Sequence, residues 1–271
     1  MSSPFISANW LKEHLEKETL IVLDASSRPI SSSERDVKIA IPGAQYFDLG
    51  GTFSERGAKY PNTFPSQEQF NREAKKLGVN QNSLIVVYDD KGIFNSARVR
   101  WMFRTLGLRD VYVLDGGLPG WVQAGFKTVD SYREPLNAGN FNGNIKKNRV
   151  VGLDFIQSEA RMNECVLADA RSMGRFSGTA PEPRAGLRSG SIPGSINIPF
   201  QSLLADGFVR PKEEIAPYFE WAKDSTRQPI FTCGSGVTAC IIGMVYEWLV
   251  GNDEYAVYDG SWTEYASETA S

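Results

Sequence analysis

The chain has 271 residues, 41% of them hydrophobic and 11% aromatic, with a formal net charge of −3. That length accommodates two domains of ordinary size, and the balance of charge, with no basic tail or Lys/Arg stripe, offers nothing to nucleic acid or a membrane surface. There is no run of about 18 apolar residues, so no transmembrane helix is expected, and the opening Met1-Ser2-Ser3-Pro4 reads as neither a secretory leader nor an Arg-rich transit segment.

In chain order, an early amphipathic helix carries the single histidine, His14, as a surface residue. Leu20-Ile21-Val22-Leu23-Asp24-Ala25 reads as a strand, and Ile41-Pro42-Gly43 follows after a polar stretch. Leu84-Ile85-Val86-Val87-Tyr88 is a second strand, Ser96 to Leu106 a helix that Gly107 caps, and Val111-Tyr112-Val113-Leu114 a third strand. Ser131 through Asn144, with several Asn and Gly residues, reads as a linker. Beyond it the same signals return. Asp169 in Cys165-Val166-Leu167-Ala168-Asp169-Ala170 stands 145 residues after Asp24, Ile192-Pro193-Gly194 repeats Ile41-Pro42-Gly43 at an offset of 151, and Asp259-Gly260 repeats Asp115-Gly116 at 144. Three signals in one order at a nearly constant offset mean duplicated domains, not a solenoid. The expected division is 1–134, a linker over 135–148, and 149–271. Strands alternating with helices imply an α/β fold, each half a mostly parallel sheet flanked by helices.

The halves differ after their equivalent strands. The second has Gln228-Pro229-Ile230-Phe231-Thr232, then Cys233-Gly234-Ser235-Gly236-Val237-Thr238-Ala239, then the apolar helix Cys240 to Val250. A cysteine at a strand end, in a loop of small residues that opens a helix, meets converging backbone N–H groups and the positive end of the helix dipole. Both favour thiolate over thiol, which makes Cys233 the candidate nucleophile rather than a packed structural cysteine. Ligands in such sheets bind beyond the carboxyl ends of the strands, where Cys233 lies. The first half has Asp89-Asp90-Lys91-Gly92 in this place and no cysteine, so it is expected to be a structural or site-completing partner, not to do thiol chemistry. Cys165 and Cys240 read as core residues, and the aromatics Trp121 and Trp262 as packing. Three cysteines without a C-x-x-C pair, none near His14, predict neither a metal site nor a disulfide framework, and free thiols fit a reducing compartment such as the cytoplasm.

With these residues in view, the chain resembles the tandem-domain rhodanese-like sulfurtransferases over essentially its whole length. The Cys233–Ala239 loop is similar to that of the 3-mercaptopyruvate-using members, with neutral Gly234 and Ser235 where thiosulfate-preferring members carry charge. Asp169-Ala170-Arg171, Gly174-Arg175-Phe176-Ser177-Gly178-Thr179 through Pro183-Arg184, and Tyr258-Asp259-Gly260-Ser261-Trp262 share the likeness. The resemblance implies two rhodanese-like domains and a ping-pong reaction. In it the Cys233 thiolate takes sulfur as a persulfide, pyruvate leaves, and cyanide, a small thiol or a thioredoxin-like protein accepts the sulfur, with no cofactor. It assigns Arg175 and Arg184 to the donor's carboxylate and keto oxygen, a role that suits guanidinium forks, and Gly234, Ser235, Gly236, Val237 and Thr238 to the active-site loop. Arg171, at a strand end beside Asp169, is expected to pair structurally.

One departure stands out. Many members of the family place a histidine before Ile-Pro-Gly of the first domain, proposed to act with a nearby Asp and the loop serine as a relay. Here the residue is Ala40, and Ser191 is its second-domain counterpart. A Ser–His–Asp relay is therefore not expected, and a thiolate attack needs none. Two other functions compete. A cysteine phosphatase needs Cys-x5-Arg, but position 239 is Ala239. A persulfide carrier fed by a protein donor would have little use for Arg175 and Arg184.

Overall fold

The computed structural model describes residues 3–27, 39–146, 148–223 and 226–269. The first sheet is built from β1 (Phe5–Ile6), β2 (Leu20–Asp24), β3 (Ala44–Tyr46), β4 (Leu84–Tyr88) and β5 (Val111–Leu114). The second is built from β6 (Val150–Val151), β7 (Cys165–Asp169), β8 (Ile196–Asn197), β11 (Gln228–Thr232) and β12 (Ala256–Tyr258), with a small antiparallel hairpin of β9 (Leu204–Ala205) and β10 (Phe208–Val209) between β8 and β11. The strand orders are β1-β5-β4-β2-β3 and β6-β12-β11-β7-β8, and every pairing in both is parallel. The two α/β domains are thus copies of one topology. The expected strands at 84–88, 111–114 and 228–232 form with those bounds, and the helices begin one residue earlier than read, as Asn95–Thr105 and Ala239–Val250.

This topology fixes where chemistry can occur. From β7 the chain departs to β8 on one side, and from β11 to β12 on the other, so the loops after β7 and β11 part above the sheet. Such a switch point opens a crevice at the strand ends, and Cys233 follows the central strand β11 directly. In the first domain the same place, after β4, holds Asp89.

The domains meet through equivalent helices. Asn95–Thr105 packs on Ala239–Val250, and both are buried along most of their length, which joins the inner faces of the two sheets in one apolar core. Each outer face has its own cluster, around Trp121 in the first domain and Trp262 in the second. Trp121 donates its Nε1–H to Lys127 O at 3.0 Å, so its one polar atom is satisfied inside the apolar packing. The first-domain helix carries three arginines that enter this dry interface because each finds a carboxylate of the second domain. Arg98 meets Asp259, Arg100 forks onto Glu247 at 2.8 Å through both Nη atoms, and Arg104 reaches Asp253 at 2.7 Å. Residues 139–146 strap along the first domain. Gly139 N donates to Lys75 O, Phe141 N to Val79 O and Asn144 N to Leu106 O, with the Phe141 ring buried.

The Arg100–Glu247 clamp makes the interface sensitive to acid. Burial works against the Glu247 charge, but the hydrogen bonds and positive charge of Arg100, with Arg104 behind, win and hold its carboxyl below the ordinary 4.5. A carboxyl depressed on folding contributes stability that is present above 4.5 and is lost as pH falls through the folded-state value. Thermal melts from pH 7 to pH 3 should therefore show a steep acid loss that is shallower in Glu247→Gln. A Glu247→Gln variant with an unaltered acid limb would remove Glu247 from that role.

Candidate active site

The loop after β11 is pinned from below by the start of the helix Ser261–Glu268. The Ser261 hydroxyl accepts the N–H of Cys233 at 3.3 Å and of Gly236 at 3.0 Å, and donates to Tyr258 O at 2.7 Å. Trp262 N donates to Cys233 O at 2.9 Å, and Thr263 holds Gly234 O through its N–H and its hydroxyl. Gly236 turns the loop with φ +74°, where an added Cβ would lie 2.9 Å from Asp259 O, so only glycine fits. Cys233 sits on the floor of a cleft of about 790 Å³ between the domains, of a size that suits a small ligand.

The first domain shows what such a loop does with an anion. The Asp89 carboxylate, at the place of Cys233, accepts N–H groups of its own loop. Oδ1 takes Lys91 N at 3.0 Å, and Oδ2 takes Phe94 N at 2.8 Å and Ser96 N at 2.9 Å. Ser235 and Thr238 stand 144 residues after Lys91 and Phe94, in a loop with the same left-handed glycine, Gly92 or Gly236. Among the described residues, the N–H groups of Ser235 and Thr238 donate to no protein acceptor. They stand at the N-terminus of a 12-residue helix, the end that favours negative charge.

Both arginines singled out in the sequence reach this cleft. Arg175 lies on the short helix Met173–Ser177 and Arg184 on the loop beyond, and both line the cleft with Cys233, Gly234, Ser235 and Thr238. A Cβ on Gly234 would come within 2.9 Å of Arg175 Nη2 and 3.9 Å of Arg184 Nη1, so both guanidinium groups lie over the residue next to Cys233. Their surroundings differ. Arg175 is tied through Nε and Nη2 to Glu182 Oε2, and buried Glu182 is held in turn by Arg171. Arg184 is exposed and donates to Thr263 Oγ1 at 3.2 Å, with no carboxylate partner among the described residues. Arg171 itself has no exposed side-chain surface. It forks onto Asp169, bonds Glu182 and Gly190 O, and lies over the Trp262 ring, which makes it the structural pair expected.

Cys240 is buried beneath the loop, its thiol donates to Gly236 O, and burial pushes that thiol up to about 12. Cys165 is buried in β7. His14 is half-buried on the early helix, its ring stacked on Trp10 at 3.9 Å and Nδ1 meeting Trp10 O. Ala40 is buried and bridged to Val129, and Asn62 of the first domain reaches the loop serine, its Nδ2 donating to Ser235 Oγ at 3.2 Å. Among the described residues no histidine lines the cleft, and no group of three His, Cys, Asp or Glu side chains could hold a metal.

The Rhodanese-like domain family model matches residues 7–124 and again 156–268. The chain belongs to the rhodanese-like family. This rhodanese-like protein is 38% identical to the mitochondrial thiosulfate/3-mercaptopyruvate sulfurtransferase 1 of Arabidopsis thaliana, over 98% of this chain and 77% of that one. It is 34% identical to the 3-mercaptopyruvate sulfurtransferase of Escherichia coli K12, over 97% and 95%. Its fold superposes on the crystal structure of an Escherichia coli 3-mercaptopyruvate sulfotransferase with a TM-score of 0.82 at 31% identity, covering 96% of this chain and 99% of the other. Both rhodanese-like domains are present, and only the second carries a cysteine in the loop.

The sequence alone missed four residues that build this site. Glu182 was signalled only as a lone carboxylate between two arginines. Ser261 was signalled by the mismatch between Asp115-Gly116-Gly117 and Asp259-Gly260-Ser261. Asn62 and Arg98 gave no local signal, since each acts across the domain interface.

Proposed function

We propose that this protein is a sulfurtransferase that moves sulfur from 3-mercaptopyruvate through a Cys233 persulfide to a thiol or cyanide. The observation that carries the reading is the placement of Arg175 and Arg184 over Gly234, beside the sulfur of Cys233, in one cleft. A planar α-keto acid offers a carboxylate and a keto oxygen to two guanidinium forks, and its thiol sulfur then lies over Cys233. The Cys233 thiolate attacks that sulfur, an S–S bond forms, and the donor C–S bond breaks. The electron pair goes to the departing carbon as the pyruvate enolate, whose oxygen the guanidinium groups stabilise. The proton from the donor S–H balances the new C–H of pyruvate, and the sulfur stays on Cys233 as a persulfide anion facing the N–H groups of Ser235 and Thr238. No histidine is required in this sequence. Cyanide or a thiolate then takes the outer sulfur and restores the Cys233 thiolate.

Thiosulfate is the second reading, favoured by the double name of the Arabidopsis relative and by its fit as an anion to the same cations. A small thiol, or a thioredoxin-like protein presenting one, is the acceptor that suits a cleft open between domains. The same reading divides the chain at 135–148 and places it in a reducing compartment such as the cytoplasm, in keeping with three unpaired cysteines. No helix among the described residues is long and apolar enough to cross a membrane. The deciding experiment measures kcat/KM for 3-mercaptopyruvate and for thiosulfate with cyanide as acceptor. A clear preference for mercaptopyruvate is expected. A thiosulfate preference would reassign the donor, and turnover of neither would leave a protein-fed persulfide carrier.

A further inference from the structure

The loops around Asp89 and Cys233 occupy equivalent places and share a left-handed glycine, Gly92 or Gly236, but are held by different means. In the first domain the Asp89 carboxylate is itself the staple, with three N–H groups of its own loop bonded to it. A thiol at that place cannot do this and still present a free sulfur. Of the three counterparts in the second domain, Ser235, Thr238 and Cys240, Cys240 alone among the described residues has its N–H satisfied inside the loop, by Val237 O. The remaining hold comes from outside the loop: Trp262, Thr263 and Arg98 bond its carbonyls, and the Ser261 hydroxyl takes the N–H groups of Cys233 and Gly236.

Ser261 is an unusual residue for its place. It has φ +51°, a left-handed conformation that costs a non-glycine residue on the order of 1–3 kcal/mol. Its counterpart 144 residues earlier is Gly117, with φ +55°. At Gly117 a Cβ would lie 2.4 Å from Gly92 O and 2.5 Å from Asp89 O, so the first-domain loop has closed onto the space that the Ser261 side chain fills in the second. Backbone conformation alone would select glycine at both positions. A serine that is fully buried, strained and bonded by both its lone pairs and its proton is explained by what its hydroxyl holds.

We propose that Ser261 is a positioning residue for sulfur transfer. Its hydroxyl takes over the loop-stapling role that the nucleophile's counterpart, Asp89, performs for itself in the first domain. The N–H groups of Ser235 and Thr238 are thereby left open for the sulfur on Cys233. The proposal rests on Cys233 as the nucleophile, and its test reads both turnover and stability.

In the full chain, Ser261→Gly removes the hydroxyl and also the left-handed strain, so its Tm should stay within about 3 °C of the parent. Its kcat with 3-mercaptopyruvate and cyanide should fall about tenfold to a hundredfold, as loss of alignment at a reacting atom does, while the donor KM changes less than about threefold, because Arg175 and Arg184 stand on another segment. Ser261→Ala should lose as much kcat but melt below Ser261→Gly. A second comparison needs no catalysis. Cys233→Asp supplies a carboxylate staple like that of Asp89, so adding Ser261→Ala to it should lower Tm less than Ser261→Ala does in the parent. Full kcat in a folded Ser261→Gly variant, or a loss confined to KM, would overturn the proposal. If the parent turns over neither donor, the functional reading fails, and the thermal comparison still decides the role of Ser261. Equal Tm losses in the two backgrounds would then refute it.

Discussion

Cys233→Ser is expected to abolish sulfur transfer from either donor, leaving less than ~3% of parental turnover, because a serine hydroxyl is neither ionised at neutral pH nor able to hold sulfur in an S–S bond. The parent, incubated with donor and no acceptor, should gain one sulfur atom by intact mass, and Cys233→Ser should gain none. Cys240→Ser is the matched control. Its thiol is buried, donates to Gly236 O, and is pushed up to about 12 by burial, so it offers no thiolate to a donor. Cys240→Ser should therefore keep the added sulfur and most of the turnover. Residual turnover in Cys233→Ser above a few per cent, or loss of the persulfide in Cys240→Ser with the fold intact, would remove Cys233 as the sole carrier.

How much of this was legible in the sequence follows from the range over which each interaction acts. Strands such as Leu84–Tyr88 and Gln228–Thr232 are local apolar runs between breakers, and their bounds could be read directly. The duplication was legible because the Asp–Gly and Ile-Pro-Gly signals recur in order. Cys233 stood out because strand, small-residue loop and helix are contiguous. The hairpin of β9 and β10 went unread because each strand has two residues, although Asp206-Gly207 supplies its turn with φ +50° and +86°. The interface stayed hidden for a different reason. Arg98 meets Asp259 at a separation of 161 residues and Asn62 meets Ser235 at 173, and no periodicity reports such pairs. In the fold they form a reciprocal arrangement. Phe64 N of the first domain donates to Asp259 of the second, and Val209 N of the second donates to Asp115 of the first. In one half this arrangement leaves a cleft over Cys233. In the other it seals the loop of Asp89, with Gly207 against Gly92 and Phe208 against Gly116 and Gly120.

Arg184→Ala is expected to raise the KM for 3-mercaptopyruvate about tenfold to a hundredfold, the size of a lost charge-assisted hydrogen bond, and the KM for thiosulfate much less. The difference follows from shape. A keto acid has two acceptor groups in one plane and needs both forks, whereas a tetrahedral anion can be held by Arg175 and the loop N–H groups. Arg184 is also the cleaner of the two arginines to remove. Arg175→Ala would strip Glu182, a buried carboxylate, of one of its two cations, so a stability loss would blur the kinetics. Arg184 gives up one bond to Thr263, whose hydroxyl still donates to Gly234 O, so the loop keeps its hold. Arg184→Lys retains the charge without the planar fork and should fall between the parent and Arg184→Ala. Gly234→Ala attacks the same geometry from the opposite side. Its methyl group would stand 2.9 Å from Arg175 Nη2 and must push that guanidinium off the cleft floor, so mercaptopyruvate should again suffer more than thiosulfate. Steady-state kinetics with both donors on these three variants decide the matter. An equal rise in KM for the two donors would mean that the arginines attract anions in general, and that recognition of the keto acid lies elsewhere in the cleft.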